Sequence, residues 1–305
     1  MGGNIFPKTK RIESKEDYKN IFKIQKELLK DVCEGMVIPS QLTSKTSFGD
    51  LDILAPSKYL EATEAFLKLH GYTYSLSGKN LSYLFEGTQI DLIFVEELNL
   101  SFSRSFYSFS AQSRILSSAF NDSDFTLKPQ GLYYRYYRKD LNLKKLIRVP
   151  YRHTKILEVL KLDSRKFLEG FETEKDVFEF ICESPFLNFE RLEKIFKDNS
   201  NGFLSDFSKY ITENPSLKET PPEDLNFFVP SQYYMFYKEY SDLQDFCKSQ
   251  LDFKSKFNGL LVSKLTGLEG KALGEFILRF KDKYSFEDIV SISPKQIEFL
   301  IKNFK

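Results

Sequence analysis

Asp50 and Asp52 stand two apart in the run Ser47-Phe48-Gly49-Asp50-Leu51-Asp52-Ile53-Leu54, and Asp91 follows about forty residues later in Gln89-Ile90-Asp91-Leu92-Ile93. Both runs are short and apolar. Side chains at i and i+2 of a β-strand share a face, so Asp50 and Asp52 point the same way, and a second strand from Thr88 to Val95 can carry Asp91 beside them. Carboxylates in apolar surroundings are costly unless they are hydrogen-bonded or bound to a cation. An all-oxygen set suits Mg²⁺, which takes one or two carboxylates and completes its shell with substrate phosphates. Two such ions clamp the attacking and leaving oxygens of a displacement at phosphorus. These residues therefore point to nucleotidyl transfer, with two Mg²⁺ ions, or Mn²⁺ in their place, held by Asp50, Asp52 and Asp91. Gly49, just ahead of the pair, is expected among the nucleotide-binding residues; a turn into the first strand, where freedom in φ is useful, is the plainer reading of it.

The residues ahead of the pair sharpen the expectation. Pro39-Ser40 precedes Gly49-Asp50 by ten residues, with Thr43, Ser44, Lys45, Thr46 and Ser47 between. This resembles the Gly-Ser, spacer, Gly-Asp-x-Asp signature of the DNA polymerase beta nucleotidyltransferase superfamily, with Pro39 at the place of the first glycine. The resemblance implies that the serine and its turn hold the triphosphate while the aspartates hold the metals. Ser40, Ser44 or Lys45 would then take the β and γ phosphates, Lys45 being the nearest cation to replace the basic residue that follows the serine in the family. Phe106-Tyr107-Ser108-Phe109-Ser110 stands where family X DNA polymerases have a Tyr-Phe-Thr-Gly-Ser turn, with Phe109 in place of the glycine. Phe125 to Tyr133 is similar to that family's Leu-Asn-Glu-Tyr-Gly-Leu segment, and Glu172 to Phe180 to its Thr-Glu-Glu-Asp-Ile-Phe segment. Together they span roughly residues 36 to 190. Further on, Gly267-Leu268-Glu269-Gly270-Lys271-Ala272-Leu273-Gly274 resembles a helical segment of bacterial tRNA nucleotidyltransferases; a helix junction that needs small residues explains it equally.

Formal net charge is only +1, but its distribution is uneven. Between Lys128 and Lys155 lie Lys128, Arg135, Arg138, Lys139, Lys144, Lys145, Arg148, Arg152 and Lys155, against a single acid, Asp140. Tyr133, Tyr134, Tyr136, Tyr137 and Tyr151 are interleaved. Cations can track a phosphate backbone and aromatic rings can stack on bases, so this stretch is a candidate grip for nucleic acid, or for the triphosphate of a nucleotide. A solvated strand pair capped by tyrosines is the plainer alternative.

At 305 residues and 41% hydrophobic, the chain can bury a sizeable core and accommodate two or three small domains. Cys33, Cys182 and Cys247 are far apart, with only His70 and His153 for company, which argues against a zinc site or a disulfide framework. No apolar run approaches the length of a membrane span, and the Met1-Gly2-Gly3-Asn4-Ile5-Phe6 start resembles neither a signal peptide nor a myristoylation site. A cytoplasmic protein with no membrane partner is expected.

The expected architecture is α+β. An N-terminal helix opens at a Ser14-Lys15-Glu16-Asp17 capping box and runs within residues 1–35. Residues 36–103 form a nucleotidyltransferase palm, a small mixed sheet with helices and a turn at Glu86-Gly87. Residues 104–198 form a mixed, basic subdomain, with a short helix beginning at Ser184-Pro185. Residues 199–230 contain a linker in which Phe203 to Ile211 can be helical. Residues 231–305 are helical, the last helix capped by Ser293-Pro294. The function expected is Mg-dependent transfer of nucleotides from a nucleoside triphosphate to a nucleic-acid 3′ end, on DNA or on a tRNA tail, with release of pyrophosphate. The alternatives are nucleotidylation of a small molecule or a protein, and a catalytically inactive palm that binds nucleic acid. With about 35 residues ahead of the palm, the small lyase domain of many family X repair polymerases is not expected, which weakens a gap-filling repair role and leaves room for untemplated addition.

Overall fold

The computed structural model of the protein describes residues 5–225 and 229–304; the Met1–Asn4 start, Lys305 and residues 226–228 of the expected linker lie outside them. Helix covers 53% and strand 16%, and the strands form two separate small sheets, so the class is α+β as expected. No helix among the described residues is long and apolar enough to cross a membrane.

Contacts divide the chain into two units, residues 1–135 with 148–229, and residues 136–147 with 230–305. The first unit begins with α1 (Lys15–Leu28), where the Ser14 hydroxyl accepts the Asp17 N–H at 3.0 Å. The helix stops at Leu28, short of the Gly35 end of the expected segment. Its sheet has the order β1 (Asp50–Pro56), β4 (Thr88–Val95), β3 (Asn80–Phe85), β2 (Tyr74–Ser77), and α2 (Leu60–Leu69) connects β1 to β2. β1 and β4 run parallel, while β4, β3 and β2 are antiparallel neighbours. Glu86 and Gly87 form the β3–β4 turn, both at positive φ.

Alternation along β1 and β4 gives this sheet two unlike faces. Leu51, Ile53 and Ala55 with Ile90, Leu92 and Phe94 face a core shared with Tyr18, Leu29 and Leu67 of the α1 and α2 regions. Each leucine, isoleucine or phenylalanine among them, fully removed from water, contributes about 1.5–3 kcal/mol. On the other face, Leu54, Ile93 and Val95 pack with Leu100 and Tyr107 of α3 (Leu100–Tyr107). That apolar patch covers only part of the face. The remainder, nearer the start of the strands, carries Asp50, Asp52, Gln89 and Asp91.

After α3, α4 (Gln112–Ser117) leads to β5 (Phe125–Lys128), β6 (Gly131–Arg138) and β7 (Leu143–Val149), a second sheet in that order. α5 (His153–Val159), α6 (Ser164–Glu169), α7 (Glu174–Cys182), α8 (Phe189–Phe196) and α9 (Gly202–Glu213) complete the first unit. α8 starts at Phe189, capped by Asn188 Oδ1 accepting the Arg191 N–H at 2.9 Å, so the helix expected at Ser184-Pro185 is a turn instead. The stretch read as a linker contains α9. Leu204, Phe207 and Ile211 are buried, and Ser208 Oγ donates to Glu193 O at 2.9 Å, which ties α9 to α8.

The second unit contains α10 (Tyr234–Lys256), α11 (Gly259–Thr266), α12 (Gly270–Lys283), α13 (Phe286–Ser291) and α14 (Pro294–Asn303). Phe257, Val262, Phe276, Phe280, Ile289, Ile297 and Ile301 form its core. The Ser293 capping box with Gln296 opens α14 as expected. Gly267 ends α11 in the left-handed region, so the glycine-rich segment is a helix junction. The outer half of the β6–β7 hairpin belongs to this unit rather than to the subdomain expected over 104–198. Its Tyr136 hydroxyl donates to Cys247 Sγ at 3.5 Å, and Lys254 Nζ to Asp140 O at 3.4 Å.

His153 is 3% exposed and packs on Phe102 and Phe167, with both ring nitrogens unpartnered among the described residues. Burial pushes its pKa down to about 4. The neutral ring therefore stabilises the fold fully above the ordinary value of about 6.5, and that contribution, about 3 kcal/mol, is lost as pH falls from there toward 4. Urea unfolding of His153→Phe should show a shallower loss of stability than wild type between pH 6.5 and 4. Parallel pH profiles for the two proteins would contradict this.

Candidate active site

The parallel register places Asp50 opposite Gln89 and Asp52 opposite Asp91. Partners in a parallel pair project to the same face, so the three carboxylates expected from the sequence are brought together on one edge of the sheet. Asp50 and Asp52 are half-buried and line a cavity of about 550 Å³. Asp91 is 8% exposed, and Gln89 Nε2 donates to both of its carboxylate oxygens, at 3.1 and 3.0 Å. Oε1 of the same Gln89 side chain accepts the Ile5 N–H at 3.1 Å.

Crowding of like charge shows in the titration of the group. Burial pushes Asp52 up to about 7, with the Asp50 charge adding to it. Asp50 is raised by burial and then by Asp91. Two phenols stand close by. Tyr107 is pushed up to about 12 by burial and then by Asp52, and Tyr18 is raised by burial, Asp52 and Asp50. Both remain neutral at physiological pH beside the carboxylates.

Cations share the cavity. Arg11, Lys45 and Arg114 line it together with the aspartates, and none of the three is ion-paired among the described residues. Lys45 lies over the Phe48 ring at 4.9 Å. The remaining lining includes Phe106, Tyr107, Ser110 and the start of α9 at Asn201, Gly202 and Phe203. Phe109 and Ser110 both have positive φ, at 55° and 64°. Non-glycine residues in that region cost of order 1–3 kcal/mol each and are retained where surrounding contacts over-determine them. Here Phe109 packs edge-on to Phe167 and Phe171, and its N–H donates to Ser40 O at 2.9 Å.

The phosphate-binding residues expected from the sequence divide. Lys45 faces the cavity, and Gly49 lies against Arg11. Ser40 does not line it. Its N–H donates to Ser108 Oγ at 2.9 Å, and it borders a neighbouring cavity of about 270 Å³ with Lys15, Lys19 and Arg104. Ser44 does not line it either: its hydroxyl donates to Glu172 O at 2.6 Å and its N–H to the same carbonyl at 2.9 Å. Arg11 and Arg114 are the residues that the sequence reading missed.

The basic segment also divides. Arg135 donates to Phe120 O, Asn121 O and Ser123 O, and so braces the loop before β5. Arg138 pairs with Asp140 at 2.7 Å. Arg148 is half-buried, and its Nε has no hydrogen-bond partner among the described residues. Lys128 is half-buried, while Lys139, Lys144, Lys145 and Arg152 are exposed. Lys139, Lys144 and Lys145 are in the second unit; Lys128, Arg135, Arg148 and Arg152 are in the first. These residues therefore do not form one patch within a single unit.

No protein-family model matches the chain, and no curated protein matches it.

As a metal site, the triad fits Mg²⁺ in donor chemistry and in charge: every donor is a carboxylate oxygen, and burial leaves the group short of positive charge. The side chains as they stand do not close a shell, since among the described residues no group of three or more His, Cys, Asp or Glu is gathered tightly enough to hold an ion. Gln89, which engages both Asp91 oxygens, gives a physical reason.

The raised pKa of Asp52 means that its ionisation costs stability. The cost is full above pH 7 and is relieved as pH falls from there toward 4. Without divalent cations at pH 8, Asp52→Asn should melt about 3–6 °C above wild type, and the gap should shrink steadily as pH falls from 7 toward 4. Millimolar Mg²⁺ should narrow the gap by stabilising wild type alone. A variant that melts at or below the wild-type temperature at pH 8 would contradict this electrostatic account.

Proposed function

We propose that the chain is a metal-dependent nucleotidyltransferase. The observation that carries this reading is the opposition of Asp52 and Asp91 across β1 and β4, with Asp50 and Asp52 lining a cavity that the unpaired Arg11, Lys45 and Arg114 also line, and the buried Asp91 behind it. Asp50 and Asp52 would hold two Mg²⁺ ions, with Asp91 completing the shell of one. Bound there, Mg²⁺ neutralises the triphosphate and favours ionisation of the attacking hydroxyl, and Mn²⁺ can take its place. Gln89 holds the Asp91 carboxylate in position, and Asp91 assists removal of the hydroxyl proton. Lys45 offsets charge on the β and γ phosphates. The hydroxyl oxygen bonds to the α-phosphorus as the bond to pyrophosphate breaks. The protein contributes mainly by positioning and by charge, as phosphoryl transfer demands.

For the acceptor we favour a nucleic-acid 3′ end. Lys139, Lys144 and Lys145 are exposed on the β6–β7 hairpin near the exposed ring of Tyr137, with Lys144 at 5.3 Å from that ring. Their unit holds more Lys and Arg than Asp and Glu, which suits a polyanion.

With Mg²⁺ and each labelled NTP and dNTP in turn, the protein should extend primed DNA, single-stranded DNA or tRNA lacking its CCA end. Asp52→Asn and Asp91→Asn should lower the rate at least about a thousandfold, as loss of a principal electrostatic group does. Joint replacement of Lys139, Lys144 and Lys145 by Ala should weaken acceptor binding and flatten its salt dependence. Full activity in Asp52→Asn would overturn the assignment of the site. Activity on a small molecule or protein alone would overturn the acceptor.

A further inference from the structure

The N-terminal segment ahead of α1 runs along the carboxylate edge and is held there at three points. The Ile5 N–H donates to Gln89 Oε1 at 3.1 Å, the Lys10 N–H to Gly87 O at 2.8 Å, and Ile12 exchanges hydrogen bonds with Phe48 at 2.9 Å in both directions. Between the last two anchors sits Arg11. Its Nε donates to Ser47 Oγ at 3.0 Å, and its Nη1 lies 3.8 Å from the point a Cβ on Gly49 would occupy. The guanidinium is exposed, makes no ion pair among the described residues and lines the cavity that holds Asp50 and Asp52.

Building on the nucleotidyl-transfer reading, we infer that Arg11 is a polyphosphate-binding residue that grips the β–γ end of the bound nucleoside triphosphate. With Nε held by Ser47, the guanidinium keeps its other N–H donors for an anion. Its planar fork matches phosphate oxygens, which a lysine ammonium does not. Ser44, at the place where the resemblance puts a phosphate ligand, has its hydroxyl committed to Glu172 O. Arg11 thus adds a forked cation beside Lys45, from a segment whose Ile5 also donates to Gln89 behind Asp91. Unpaired cations and like-charged carboxylates around one cavity are complementary to a ligand that carries both phosphates and bound Mg²⁺. Lys45 and Arg114 share the cavity, so the loss of Arg11 alone weakens binding without abolishing it.

The test is calorimetric binding of Mg²⁺–tripolyphosphate and of adenosine to the full chain, as wild type, Arg11→Ala and Arg11→Lys, with melting temperatures measured alongside. Arg11→Ala should weaken tripolyphosphate binding about tenfold, and Arg11→Lys by about threefold, the range expected for one charge-assisted contact. Adenosine binding and the melting temperatures should not change, because the side chain is exposed. Tripolyphosphate affinity within twofold of wild type in Arg11→Ala, or no tripolyphosphate binding by wild type, overturns the inference. Pyrophosphate release from NTPs by wild type and Asp52→Asn is measured separately. If Arg11-dependent binding is found but wild type never releases pyrophosphate with any acceptor, the catalytic reading fails and the polyphosphate site stands.

Discussion

Parallel pairing of β1 with β4 sets Asp52 beside Asp91, and with Asp50 next along the strand this concentrates like charge in a half-buried cleft. Much of the surrounding structure can be understood as support for that arrangement. The opposite face of the same two strands is an apolar core that pins the register, since a slip of one residue would turn the aspartates inward and Leu51, Ile53 and Ala55 outward. Gln89 buttresses Asp91, and the N-terminal segment buttresses Gln89. The fold therefore meets the electrostatic cost with hydrophobic burial behind the strands rather than with paired charges in front of them.

Around this rigid edge the cavity wall comes from segments distant in sequence. The turn at Phe109 and Ser110 adopts a backbone conformation that few non-glycine residues favour, and aromatic packing of Phe109 on Phe167 and Phe171 keeps it there. The Ser40 region is tied to the same turn, and Thr43 and Ser44 to Phe171 and Glu172. The loop before β1 is thereby fastened to the α3–α4 turn and to the segment before α7. The cavity wall is thus cross-linked by hydrogen bonds between segments far apart in sequence.

Strand periodicity made the carboxylate face legible in the sequence, because a period of two leaves little choice once one side is apolar. The Glu86-Gly87 turn, the Ser14 cap and the Ser293 capping box were legible for equally local reasons. What escaped was non-local. Arg11 and Arg114 reach the cavity through tertiary packing, and no spacing rule links position 11 or 114 to position 50. The commitment of the Ser44 hydroxyl depends on Glu172, 128 residues away. The helix over Phe203 to Ile211 in the stretch after Asp198 was legible, but not that α8 covers its stripe of Leu204, Phe207 and Ile211 and so draws it into the first unit. The basic tyrosine-rich segment looked continuous, but Tyr136 and Asp140 bind its tip to α10, and backbone carbonyls claim Arg135.

The central claim is that Asp50, Asp52 and Asp91 exist to hold divalent cations. Anomalous scattering from crystals grown with Mn²⁺ and a non-hydrolysable nucleoside triphosphate tests it most directly. An anomalous peak is expected in contact with oxygens of Asp50 and Asp52 and of the triphosphate, and a second in contact with Asp91. Mn²⁺ bound elsewhere on the protein, with the three carboxylates bare beside the nucleotide, would contradict it.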